Sequence, residues 1–377
     1  MSLVVDEHRQ YLDDRARVSA YEAALTAVVR PGDVVLDLAS GTGILGFLAC
    51  RAGASRVYAI ESDSIAAIAR TVARDNGLES RVIQIDELAS RATLPEPVDL
   101  IVTDLAGRFG FEAGLIEVLG DARRRFLKPG GRIIPSSVTL FAAPVEAREM
   151  RSQIDFWTRP VSGLSFQSAH PLAQCTGYPR HLDAADLLAE SKQLTTVDLQ
   201  QDCDTMSGRA EFTVTRAGAF DAIGGWFSTV LAPGIDLTNA PGAPNRINRR
   251  NVLFPLRSTT DVVAGDRVTL SMFIRPAELL VRWRVAVMRG DRVLHETDAS
   301  TLGGMLVSPS HIRRSLPAAT PALTEAGRAR LTVLELCDGV RTLADIERGV
   351  FERHASLFRT QGDAALFVAE VVTRYAE

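Results

Sequence analysis

The residues most able to do chemistry cluster around Val34-Val35-Leu36-Asp37-Leu38-Ala39-Ser40-Gly41-Thr42-Gly43-Ile44-Leu45-Gly46. Gly41 to Gly46 spell G-x-G-x-x-G, the spacing of a turn that brings backbone N–H groups close to a nucleotide. Two acids narrow the ligand. Asp37 ends the preceding apolar run, where a carboxylate would repel a pyrophosphate but suits the ammonium of an amino acid. Glu61 ends the next apolar run, where an acid can grip two ribose hydroxyls. The glycines permit φ > 0 and leave no Cβ in a ligand's path. An acid for an ammonium, a close backbone approach and an acid for a ribose together describe S-adenosylmethionine. The pair Asp86-Glu87 follows the third apolar run, and one of the two is expected beside the adenine amino group.

Such residues need rigid elements behind them. Residues 9–30 carry helical spacing and stop at Pro31-Gly32. Short apolar runs then alternate with helical ones. Val34–Leu38, Arg56–Ile60, Val82–Ile85 and Val98–Thr103 read as strands; Gly43–Gly53 and Ser64–Asn76 read as helices. This alternation predicts an α/β fold with a parallel, Rossmann-like sheet over residues 1–137. After Pro135 the pattern changes to short strands split by Pro and Gly clusters, predicting a β-barrel domain over 138–305. Residues 302–321 read as a linker, and helical patterns return towards the end, with Thr342 as an N-cap and Asp345 three residues on.

Composition removes several classes. A net charge of −4 leaves no basic field for nucleic acid. No run of 18 apolar residues exists and the N-terminus has no long apolar core, so neither membrane span nor signal peptide is expected, and the location is expected to be cytoplasmic. The four cysteines are scattered and the six histidines lack ligand spacing, so no metal is expected.

Residues 8–290 resemble protein arginine methyltransferases, most specifically in the first half. Tyr11-Leu12-Asp13-Asp14, Arg17 and Tyr21 resemble that family's N-terminal helix, which implies that Arg17 binds the cofactor carboxylate. Asp37 to Gly43 resemble its cofactor loop, with Ala39 in place of a glycine, and Arg56 to Glu61 resemble its second strand. Asp99 to Asp104, Phe126 to Gly131 and Ile134-Pro135 continue the likeness. The family also carries two glutamates that bind the substrate guanidinium. Here Asp104 stands at the first, one methylene shorter, and Glu112 lies one place from the second. The family's Thr-His-Trp loop aligns with Arg246-Ile247-Asn248. A guanidinium wants a carboxylate held at fixed geometry. These changes therefore argue against arginine and for an amine that Asp104 and Glu112 orient or deprotonate. The family's pairing through its β domain implies a homodimer.

Residues 321–377 extend the chain beyond the family's pattern. Leu336-Cys337-Asp338-Gly339, Arg341-Thr342-Leu343 and Asp345-Ile346 resemble the PqqD-like winged-helix domain, the recognition element of ribosomal-peptide biosynthesis, over 306–377. That resemblance implies binding of a precursor leader peptide as an added strand. The reading is thus an S-adenosylmethionine-dependent N-methyltransferase of a precursor peptide. The alternatives are a small-molecule methyltransferase with a helical appendage, a protein arginine methyltransferase with altered loops, and a silent binding scaffold.

Overall fold

The computed structural model describes residues 4–306 and 318–375. They form two compact units, 1–305 and 306–377.

In the first unit two helices, α1 (Val4–Asp13) and α2 (Arg15–Val28), precede the sheet. The spacing over 9–30 predicts one helix; Asp14 divides it. Its Oδ1 accepts from Arg17 N at 3.2 Å, restarting the chain as an N-cap does. The parallel sheet then runs in the order β3 (Val82–Ile85), β2 (Arg56–Ile60), β1 (Val34–Leu38), β4 (Val98–Thr103), β5 (Leu127–Ile134). Every residue of β1 is buried. Its apolar residues run unbroken up to Asp37, because helices cover both faces of such a sheet. Between strands lie α3 (Ile44–Ala52), α4 (Ala66–Asp75) and α5 (Leu115–Phe126). Chain order reverses between β1 and β4, and ligands of such sheets bind at the carboxyl ends of the strands flanking that reversal.

Two antiparallel sheets follow. One is ordered β7 (Tyr178–Arg180), β12 (Asn251–Val262), β10 (Gly218–Ala232), β6 (Ser137–Val145), β8 (Lys192–Asp198), with β11 (Ile235–Thr238) beside β10. The other is β15 (Arg292–Ser300), β14 (Leu280–Arg289), β13 (Arg267–Arg275), β9 (Met206–Thr213). β13 and β14 alternate buried and exposed residues, the signature of a sheet with one solvated face. One apolar cluster joins the parallel sheet to the β domain and includes Leu36, Ile101, Phe109, Phe212 and Trp283. Between β6 and β7, helix α6 (Arg148–Asp155) leads into a segment where Phe156, Val161, Leu164 and Phe166 are exposed.

In the second unit three helices, Glu325–Leu336, Leu343–Arg353 and Gln361–Tyr375, pack around Ala329, Val333, Ile346, Val350, Val368 and Val371. Thr342 caps the second of them, its Oγ1 accepting from Asp345 N at 3.3 Å. No strand occurs among this unit's described residues. Of the expected linker 302–321, residues 302–304 belong to the 3-10 turn Thr301–Gly304 in the first unit, and 307–317 fall outside the described residues.

Candidate active site

Register aligns the chemistry. Leu38 of β1 lies opposite Ile60 of β2 and Thr103 of β4. Asp37, Glu61 and Asp104 therefore emerge together at the strands' carboxyl ends. The turn after β1 places Ala39, Gly41 and Gly43 at φ of 58°, 55° and 83°. Holding Ala39 there costs about 1–2 kcal/mol, since its Cβ crowds the following carbonyl. A Cβ on Gly41 would meet the His8 ring of α1 at 2.8 Å, so the first helix closes over this turn.

Asp37 is fully buried. Its Oδ2 accepts from Gly46 N at 2.7 Å, whereas Oδ1 has no hydrogen-bond donor among the described residues. Burial raises its pKa to about 7, against the lowering effect of the Gly46 N–H. Glu61 braces the same turn: Oε2 accepts from Gly41 N at 2.9 Å, and Oε1 accepts from Ser62 N and Asp63 N, both at 2.9 Å. A carboxylate has about four lone-pair sites, so these bonds leave acceptor capacity for hydroxyls.

Two adjoining cavities open here, with Ala39 and Leu105 lining both. One, of about 350 Å³, is lined by Glu61, Ser62, Glu87 and Leu88. The other, of about 720 Å³, is lined by Tyr11, Arg17, Gly41, Asp104, Glu112 and Arg249. The acidic pair is thereby separated: Glu87 faces the smaller cavity, while Asp86 pairs with Arg70 at 2.6 Å on the exposed side of α4.

Asp104 lies between two arginines, its side chain 10% exposed. Oδ2 accepts from Arg17 Nε at 2.5 Å and Arg249 Nη2 at 2.8 Å; Oδ1 accepts from Arg249 Nη1 at 3.2 Å and Tyr21 Oη at 3.4 Å. Its pKa falls to about 2 although burial alone would raise it, because the Arg249 and Arg17 guanidinium groups outweigh desolvation. Glu112 turns inward on its own loop, accepting from Arg108 N at 2.8 Å, Phe109 N at 2.9 Å and Phe111 N at 3.3 Å. Gly107 allows this fold-back: its φ is 68°, and a Cβ there would lie 2.7 Å from Glu112 Oε2.

Comparisons with known proteins match both halves of this unit. Residues 21–142 match the family model described as Ribosomal protein L11 methyltransferase (PrmA), and residues 136–286 match Arginine methyltransferase oligomerization subdomain. Protein arginine N-methyltransferase 6 of Xenopus laevis is 29% identical over 288 residues, 71% of this chain and 84% of that relative. This chain is an S-adenosylmethionine-dependent methyltransferase. It is of the arginine-methyltransferase type. The methyltransferase shares its fold with Arabidopsis thaliana protein arginine methyltransferase 10, solved in an open conformation: 22% identity, TM-score 0.69, 78% of this chain and 97% of that one. It shares it equally with the Trypanosoma brucei PRMT1 enzyme–prozyme heterotetrameric complex with AdoHcy: 20% identity, TM-score 0.69, the same coverage.

The residues present in this methyltransferase fit that cofactor. The orphaned Asp37 Oδ1 supplies a buried acceptor of the kind an ammonium satisfies. Arg17 Nη2 makes no hydrogen bond among the described residues, while Nε and Nη1 are held by Asp104 and by Tyr11 O. That leaves one edge of the fork for a carboxylate.

The structure thus brings Arg17, Ala39, Gly41, Glu61 and Glu87 to the cavity walls, buries Asp37 and Gly43 behind them without lining either cavity, and turns Asp86 away. Asp104 and Glu112, expected to orient or deprotonate the acceptor, also reach the wall, paired in ways that suit orienting rather than deprotonating. Asp104 binds protons too weakly, and the Glu112 oxygens are taken by backbone N–H groups. Arg249 escaped the sequence reading. Its signal was the run Arg246, Arg249, Arg250 in a loop, but nothing in that spacing points to an acid 145 residues away.

Proposed function

We propose that this methyltransferase transfers a methyl group to a nitrogen of an arginine side chain in a polypeptide. One observation carries the reading: the acid at the tip of β4 holds a guanidinium, that of Arg249, through both oxygens. Shortening the family's glutamate by one methylene does not abolish that grip, because the loop carrying Arg249 approaches closely. The relatives are named arginine N-methyltransferases, and the Xenopus laevis one is matched over most of its length.

The cofactor supplies an electrophilic methyl on its sulfonium. The substrate nitrogen would take that methyl as the S–C bond breaks, leaving S-adenosylhomocysteine, and its proton would pass to solvent water. Asp37 holds the ammonium and Arg17 the carboxylate, with Glu61 at the ribose and Glu87 near the adenine. Asp104 orients the acceptor; its low pKa makes it a hydrogen-bond anchor rather than the proton acceptor. Holding the two reactants in line supplies most of the rate enhancement in such a displacement. The test is mass spectrometry of peptides incubated with the full chain and S-adenosylmethionine. Methyl groups should map to arginine nitrogens and vanish in lysine-substituted peptides. Methylation of the lysine peptides alone would refute the reading.

A narrower reading makes the substrate a ribosomal precursor peptide bound by the C-terminal unit. The separate core of residues 318–375 and the exposed Leu331, Leu334 and Leu366 favour a peptide-binding role. Addition of a leader strand needs a strand edge, which these described residues lack. A general polypeptide substrate is therefore the better supported.

We also propose self-association through the exposed segment around Leu164, which lies within the matched oligomerization subdomain. Exchanging Leu164, 64% exposed, for aspartate should lower the mass measured by light scattering from a dimer towards a monomer. An unchanged mass would refute this contact.

A further inference from the structure

The larger cavity carries a contact that the proposed reaction does not explain. Arg249 lies on the irregular stretch between β11 and β12, and its side chain is 12% exposed. Its guanidinium meets Asp104 edge-on, Nη2 to Oδ2 at 2.8 Å and Nη1 to Oδ1 at 3.2 Å. Nη1 also donates to Gly107 O at 3.4 Å, and the guanidinium carbon lies 5.9 Å from the centroid of the Tyr11 ring. This parallel, two-point arrangement is the form a planar guanidinium adopts on a carboxylate. Asp104 has two oxygens, and both are engaged. A second guanidinium cannot take the same edge while Arg249 remains.

We infer that Arg249 is an internal stand-in for the acceptor, filling the guanidinium subsite on Asp104, so that a substrate arginine must displace it. The inference rests on the arginine reading above and deepens it. Three features support displacement over a permanent brace. Exchange of one guanidinium for another leaves the charge on Asp104 balanced. Arg17 and Tyr21 stay in place, so the carboxylate is never left bare. The backbone around Arg249 is anchored separately, Asn248 N donating to Asp14 Oδ2 at 2.7 Å and Asn239 Nδ2 to Arg250 O at 3.1 Å. The side chain can leave without the loop. Apparent affinity for a substrate arginine is then the intrinsic affinity reduced by the fraction of molecules with Arg249 withdrawn.

The experiment compares the full chain with Arg249→Ala and Arg249→Lys on one arginine-containing peptide. Arg249→Ala should raise kcat/KM by about tenfold or more, carried by a lower KM with kcat little changed, as removal of a competing internal ligand requires. Arg249→Lys keeps the charge without the fork and should fall between. Guanidinium ion at millimolar concentration should inhibit Arg249→Ala more than the parent, by refilling the vacated subsite. A KM that is unchanged or higher in both variants, with S-adenosylmethionine affinity preserved, overturns the inference. Should none of the proteins methylate the peptide, its affinity for the proteins loaded with S-adenosylhomocysteine decides. Tighter binding by Arg249→Ala keeps the stand-in while refuting arginine methylation, and equal binding refutes the stand-in.

Discussion

Replacing Asp104 by alanine is expected to destabilise the protein by about 3–5 kcal/mol, the loss seen when one member of a buried ion-pair cluster is removed. The penalty comes from what remains. Arg17 and Arg249 are 7% and 12% exposed at the side chain, and both would be left as buried cations without an anion. Tyr21 Oη would keep only its bond to Thr103 O at 2.9 Å. The double variant Asp104→Ala, Arg249→Ala should be less destabilised than Asp104→Ala alone, because one orphaned charge goes with it. Urea denaturation of the four proteins closes this cycle; a double variant at the sum of the single losses would show no coupling. The same cluster sets a pH dependence. The folded pKa of Asp104 is about 2, below its ordinary value of 3.8. Its ionised form therefore contributes stability fully above about pH 4, on the order of 2 kcal/mol, lost as pH falls through the folded value.

S-adenosylmethionine binding should weaken by about 10- to 100-fold in Asp37→Asn, since a buried charge-assisted hydrogen bond contributes about 1.5–3 kcal/mol. Asparagine nearly preserves the shape, so titration calorimetry reads the charge. The pH profile separates this from a general disturbance. Asp37 has its pKa raised to about 7 from 3.8, so the folded protein holds a proton that the unfolded chain has lost. Folding stability accordingly falls as pH rises from about 4 to about 7 and then levels. Binding of an ammonium needs the carboxylate, so affinity should drop by up to about tenfold from pH 7 to pH 6, and Asp37→Asn should flatten that slope. A parent protein with no slope across that range would remove Asp37 from the ammonium site.

Much of this protein was determined by its sequence alone. The apolar runs of β1, β2 and β4, the glycines of the turn, Asp37 and Glu61 are local signals, set by burial on two faces and by backbone conformation. They sufficed to predict the parallel, Rossmann-like sheet and the methyltransferase class. Elements β6, β8, β15 and α6 carried no comparable punctuation. The division of α1 from α2 hinged on whether Asp14 would cap or continue the helix, which propensity does not decide. The pairing of Asp104 was decided only by tertiary structure. Asp104, Arg17 and Arg249 come from three distant parts of the chain, and their meeting depends on how the β domain packs against the strand ends. Glu112 reads as a free acid until the Gly107 turn folds the loop back onto it. A residue's type states which charge it can offer. Whether that charge faces a ligand or its own chain is decided by contacts that sequence separation does not encode.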